Sequence, residues 1–131
     1  MERERVLIDT SILIEHLRKQ RKERTLFYQL APHYDFIISS ITEFEFLVGA
    51  TPKNQTFIQT LLSVLPVLAF DSRCVTTATD LYWDLKTRNK LLDLPDLFIA
   101  ATALTHNVML LTLNRKHFER IKNIKLHPKS A

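Results

Sequence analysis

Residues 6–15 read Val-Leu-Ile-Asp-Thr-Ser-Ile-Leu-Ile-Glu, and the reading of the fold turns on them. Val6 to Ile8 form a short aliphatic run of the kind that fills a buried strand. Asp9 ends the run, and the apolar positions that follow fall at helical spacing. A carboxylate is thereby placed at the carboxyl end of a strand, where open α/β sheets bind their ligands. The same residue is a good helix N-cap, so both roles stand open at this point.

Working outward, three more runs have the same character: Phe36 to Ile38, Val67 to Phe70 and Met109 to Leu113. Amphipathic segments between them predict helices over about 11–19, 23–31, 41–49, 54–64, 72–90, 95–106 and 115–120. Asp71-Ser72 reads as a helix N-cap, and Pro95 suits the first turn of the helix it begins. Strands separated by helices need crossover connections, which implies a mostly parallel sheet covered on both faces: a three-layer α/β fold with four or five strands. Lys125 to His127 supplies the weak candidate for a fifth.

The 131-residue chain, 46% hydrophobic and 24% charged, suits one domain over 1–131. Its longest greasy stretch, Leu61 to Phe70, includes Ser63 and Pro66 and falls short of the roughly 20 residues a membrane span needs. Cys74 is the single cysteine, and the opening Met-Glu-Arg-Glu-Arg does not resemble a secretory leader, so a reducing cytoplasm is the expected location. The charge balance is +4. Arg18, Lys19, Arg21, Lys22 and Arg24 form one basic cluster, and Arg115, Lys116, Arg120, Lys122, Lys125 and Lys129 form another. Both suit a polyanion, and both also suit a solvated helix face. Gly49 is the only glycine, which excludes every glycine-rich phosphate loop. Phosphate chemistry here has to rest on a metal or on side chains.

Five polar positions lie at comparable addresses, at strand ends or helix starts. Glu43 and Glu45 follow the second run in Ser-Ser-Ile-Thr-Glu-Phe-Glu-Phe-Leu-Val-Gly. Ser40 to Glu43 and Thr42 to Glu45 both fit the capping-box pattern. Both glutamates fall near the edge of a stripe formed by Ile41, Phe44, Leu47 and Val48, and Gly49, one turn beyond Glu45, favours Glu45 because it leaves room for a ligand or a second chain. Asp93 and Asp96 begin a helix whose Ala100, Ala101 and Ala103 imply close central packing, although either acid also complements the helix dipole. Asn114 ends the fourth run.

Asp9, Glu45, Asp96 and Asn114 thus come from four segments that a parallel sheet can bring together. Clustered carboxylates stay ionised when a cation lies between them, and hard oxygen donors select Mg2+ or Mn2+ over zinc. The five histidines lack metal-ligand spacing and read as surface or packing residues, while Cys74 reads as a small core residue.

These four segments together resemble the PIN-domain nucleases, specifically the VapC-type toxins. The stretch at 6–15 resembles the family's opening strand with its first acid, Asp9. Residues 39–50 resemble the second motif, in which the spacing to Gly49 assigns the glutamate to Glu45. Pro-Asp-Leu-Phe-Ile-Ala-Ala-Thr-Ala-Leu at 95–104 resembles the third, with Asp96, and Leu-Leu-Thr-Leu-Asn-Arg-Lys-His-Phe at 110–118 the fourth. The fourth position often carries Asp in the family; here it is Asn114, which can still ligate or orient a water while removing one negative charge. Asp93 is a candidate to replace that charge.

The resemblance implies a three-layer PIN-like fold and a Mg2+- or Mn2+-dependent endoribonuclease leaving a 5′-phosphate and a 3′-hydroxyl. Asp9, Glu45 and Asp96 would hold the metal, with Asn114, Ser11 and Thr112 positioning ligands or the attacking water. Arg18, Lys19, Arg21, Arg115 and Lys116 would hold the RNA backbone, with the RNA single-stranded or looped. It further implies a VapB-like antitoxin as partner and a homodimer as the usual state. Three rivals are weighed against this: a receiver-like phosphoacceptor using Asp71, a catalytically silent PIN-fold module that binds RNA or a partner, and a PIN nuclease serving RNA maturation.

Overall fold

A computed structural model describes residues 2–131. Its strands are β1 (Arg5–Ile8), β2 (Asp35–Ser39), β3 (Val67–Leu68) and β4 (Met109–Leu111). Its helices are α1 (Thr10–Arg18), α2 (Leu26–Leu30), α3 (Ser40–Val48), α4 (Gln55–Ser63), α5 (Ser72–Thr87), α6 (Leu94–Thr105) and α7 (Arg115–Phe118). The sheet order is β3-β2-β1-β4, and every pairing is parallel. The stretch 6–15 therefore supplies a central strand, with Leu7 opposite Ile37 on one side and Leu110 on the other.

Strand alternation divides the core into two layers. Val6, Ile8, Phe36, Ile38 and Leu111 point to one face and bury Ile12 and Leu13 of α1, Phe46 of α3 and Ile58 of α4. Leu7, Ile37 and Leu110 point to the other and meet Leu85 of α5, Leu97, Ile99, Ala100 and Ala103 of α6 and Phe118 of α7. The alanines let α6 lie close against the sheet, as expected, and Pro95 occupies its first turn. Cys74 is buried, and Asp71 caps α5 by accepting from the Cys74 amide at 3.2 Å. Among the described residues no helix is long and apolar enough to cross a membrane.

Several local expectations need correction. The helix expected over 23–31 is a 3-10 turn (Lys22–Arg24) followed by α2, because Thr25 ends the first and caps the second by accepting from the Tyr28 amide. The third run makes a strand of only two residues, since Phe70 already turns toward α5 and donates its amide to Ser40 Oγ. The fifth strand reduces to a single parallel bridge, Leu110 to Leu126. Neither capping box forms, because α3 begins one residue earlier with Ser39 Oγ accepting from the Thr42 amide. The apolar stripe on α3 faces outward: Phe44 (66%), Leu47 (47%) and Val48 (67%) are exposed, while Thr42 and Phe46 are buried.

Candidate active site

Asp9 stands where β1 passes into α1, its amide donating to the Leu111 carbonyl at 3.1 Å, which continues the β1–β4 ladder by one step. The side chain is sealed, with 2% of the residue exposed. Oδ1 accepts from the Ser11 amide (3.1 Å) and the Ser11 hydroxyl (2.5 Å), and Oδ2 accepts from the Thr112 hydroxyl (2.5 Å). The cap role and the site role are thus carried by different oxygens of one carboxylate. Each hydroxyl also accepts an amide from the loop after β4: Leu113 donates to Ser11 Oγ at 3.0 Å and Asn114 to Thr112 Oγ1 at 2.9 Å. Ser11 and Thr112 therefore clamp Asp9 to the segment carrying Asn114.

Burial pushes the Asp9 carboxyl up to about 6, against the pull of the Ser11 and Thr112 hydrogen bonds, and the negative charge of Asp96 raises it further. Asp96, in the first turn of α6, is likewise pushed up by burial, with His117 acting in the opposite direction. His117 Nδ1 lies 3.3 Å from Asp96 Oδ2. His117 is half exposed, as its reading as a surface residue expects, and Asp96 is a partner that reading did not name; the signal was its place three residues after Asn114, in a helix that starts at a strand's end. His16 and His127 do pack, the first against Phe27 and the second against Tyr34.

Glu45 projects from α3 and accepts at Oε1 from the Thr10 hydroxyl at 2.6 Å. Thr10 is next to Asp9 in sequence, so one helix start organises two of the expected acids. Sequence reasoning passed over Thr10; its signal was a run of hydroxyls at strand ends, Thr10-Ser11, Ser39-Ser40 and Thr112. Gly49 closes α3 at φ −79°, and a Cβ there would meet the Phe46 and Glu45 carbonyls at ordinary contact distances of 3.7 and 3.8 Å. Packing within this chain does not require a glycine at 49.

Asp93 occupies the N-cap position of α6 without a side-chain capping bond, and it adds negative charge near Asp96. Asn114 is exposed at the start of α7. Asp93, Asp96, His117 and Arg120 line an open cleft of about 200 Å3 with Leu91 and Leu92, and Asn114, Arg115, Lys116 and His117 line another beside it. Arg115 and Lys116 thus flank the acids, Arg115 being held 3.3 Å from Glu119. Arg18, Lys19 and Arg21 do not. Arg18 ends α1, about 13 Å of helix rise from Asp9, and Lys19 and Arg21 follow beyond that end. Lys22 of that cluster caps α1, donating to the Leu17 and Lys19 carbonyls at 2.8 Å. Among the described residues no three His, Cys, Asp or Glu side chains stand close enough to hold an ion as they are.

The sheet is open and all-parallel, with Asp9 at its carboxyl edge and Asp96 near enough to act on it, which defines an α/β protein with two acids on one side of the fold. The PIN domain family matches residues 6–124. Ribonuclease VapC1 of Methanocaldococcus jannaschii is 35% identical over 126 residues, covering 95% of this chain and 87% of that protein. Ribonuclease VapC1 of Rickettsia felis is 32% identical over 129 residues, covering 92% and 93%. Among solved structures, the VapBC2 complex of Rickettsia felis bound to a promoter DNA fragment superposes with a TM-score of 0.82 at 26% identity, over 94% of this chain and 97% of that one. FitAcB from Neisseria gonorrhoeae gives 0.79 at 26% identity, over 94% and 97%. The chain belongs to the PIN domain family, among relatives of the VapC type.

Proposed function

We propose that this chain is the toxin of a toxin–antitoxin pair, an endoribonuclease that hydrolyses RNA phosphodiester bonds with Mg2+ or Mn2+. The observation that carries the reading is the Asp9 carboxylate at the carboxyl edge of the sheet, its pKa raised chiefly by burial and in the same direction by the negative charge of Asp96. Two carboxylates so placed oppose each other's ionisation, and a divalent cation offsets that opposition. The donor set is oxygen throughout, which suits Mg2+ or Mn2+. Asp9, Glu45 and Asp96 would supply the ligands, with Asn114 a neutral fourth group. When bound, such an ion activates a water and offsets the charge that builds on the attacked phosphate.

The remaining work falls to the chain's own side chains. Ser11 and Thr112 hold Asp9 in one orientation, and Thr10 holds Glu45. His117 steadies Asp96, and Asp93 adds negative charge beside it. Lys116 and Arg115 are placed to meet backbone phosphates, which positions RNA without reading its sequence. A VapB-like antitoxin would be the partner, and the exposed strip Phe44, Leu47 and Val48 on α3 is a surface that an antitoxin or a second copy in a homodimer would cover. RNA substrate and the unpaired thiol of Cys74 both fit a reducing cytoplasm.

The test is cleavage of a structured RNA by purified protein with Mn2+ or Mg2+, set beside an EDTA control and Asp96→Asn. Metal-dependent cuts that vanish in the variant are expected. Equal inactivity of both proteins on several RNAs, together with no Mn2+ binding by the wild type, would favour a silent module.

A further inference from the structure

Beyond β4 the chain returns along that strand's open edge. Leu110 donates its amide to Lys125 O and accepts at its carbonyl from the His127 amide, both at 2.8 Å. Two residues on, the Thr112 amide donates to Ser130 Oγ at 3.2 Å, and the Thr112 carbonyl accepts from the Ala131 amide at 3.0 Å. Ser130 Oγ is itself anchored, donating to the Leu110 carbonyl at 3.4 Å. The tail is tied at its base, where His127 Nε2 meets the Tyr34 hydroxyl at 3.0 Å and His127 Nδ1 accepts from the Lys129 amide at 3.0 Å. Thr112 thus sits past the last β1–β4 pair, Ile8 with Leu111, and both of its peptide groups bond to the tail.

Thr112 is also the residue whose hydroxyl meets Asp9 Oδ2 and carries the Asn114 amide. Ser130, Thr112 and Asp9 are all buried, at 6%, 0% and 2% exposure, so water cannot readily replace a lost bond between them. We propose that Ser130 is a positioning residue for the Asp9 carboxylate, acting through Thr112: its hydroxyl fixes the Thr112 main chain, which aims the Thr112 side chain at Asp9 and holds the loop carrying Asn114. The consequence for catalysis rests on reading Asp9 as a metal-holding acid; the latch itself does not.

Amide hydrogen exchange on the metal-free Ser130→Ala protein separates the two. The Asn114 amide, whose acceptor is Thr112 Oγ1, should exchange about tenfold faster, while Ala100 and Ala101 in α6 keep their wild-type rates. Ser130→Cys, which retains a weaker acceptor, should fall between. Unchanged exchange at Asn114, or equal acceleration in α6, would overturn the proposal. In RNA cleavage, Ser130→Ala should lower kcat about tenfold with KM unchanged, the size typical of residues that orient a ligand. On a Thr112→Val background it should add nothing. Losses that multiply in the double variant would overturn the route through Thr112. Absence of metal-dependent cleavage by the wild type would sink the nuclease reading, while the exchange rates would still decide the latch.

Discussion

The two sides of the carboxylate centre are built by opposite means. On the β1–β4 side, Asp9 is enclosed, and its oxygens accept two short bonds from hydroxyls and one of ordinary length from an amide. On the α6–α7 side, Asp96 lies in an open cleft beside Asp93, His117 and Arg120, and its recorded side-chain partner is a half-exposed histidine at 3.3 Å. The first arrangement fixes geometry at the cost of holding a carboxylate in poor solvation. The second leaves space for a phosphate to enter. The proposed function, orienting a cation and admitting a long polymer, would need both, and the division follows the fold: the centre of a parallel sheet is dry, while the starts of α6 and α7 are not.

Asp9→Asn should break this comparison most strongly. If Asp9 holds the ion as proposed, its loss removes several kcal/mol of charge stabilisation, so cleavage should fall by roughly a thousandfold or more. Folding should respond in the opposite sense. The folded carboxyl titrates at about 6 and its ordinary value is 3.8, so the native state binds the proton more tightly. Asp9 then contributes stability that is present below about pH 4 and lost as pH rises through 6. The metal-free variant should accordingly be more stable than wild type at pH 8, by on the order of 1–3 kcal/mol, and the gap should close toward pH 4. Thermal melts of both proteins across that range check it, and the difference between them removes His16 and His127, whose lowered pKa values act with the opposite sign in both proteins. Added Mn2+ should raise the melting temperature of wild type and not of the variant.

The basic residues sharpen the same contrast between near and far. Lys116→Glu, beside Asn114, should raise KM for RNA about tenfold and flatten its salt dependence, as loss of a phosphate contact does. Arg21→Glu, at the other end of α1, should leave KM within about twofold, the scale of a distant screened charge. A reversed order would place the RNA path along α1 instead.

The layers of the fold were legible because each strand alternates cleanly: Val6 and Ile8 against Leu7, and Phe36 and Ile38 against Ile37, send side chains to two separate cores. The places of Asp9 and Asp96 were legible because Asp9 closes an apolar run before a helix and Pro95 marks the first turn that holds Asp96. The limits of the reading lie where long-range contacts override local pattern. Nothing in Ser-Ser-Ile-Thr-Glu-Phe-Glu tells which serine caps α3, since Ser39 and Ser40 are equally good caps; Ser40 is taken by the distant Phe70 amide, and Ser39 remains. The partner of the stripe on α3 was left open for a related reason. Helical spacing marks a face as apolar without saying whether this chain or another covers it. Thr112 to Ser130 was invisible, because a side chain fixing a backbone amide 18 residues away leaves no periodic trace.

Apart from the Arg21 control, the smallest expected effect belongs to His117, and it separates support of Asp96 from chemistry. His117 Nδ1 touches one oxygen of Asp96 at 3.3 Å, a long hydrogen bond between partly exposed groups. Such a bond is worth under about 1 kcal/mol, so His117→Phe, which keeps the ring's bulk, should reduce kcat only about threefold. His117→Gln, which can still donate to Asp96, should recover most of that loss. A drop beyond about a hundredfold in both variants would exceed what one such bond supplies. It would move His117 from steadying Asp96 to handling a proton in the reaction, and the open side of the centre would then carry chemistry as well as access.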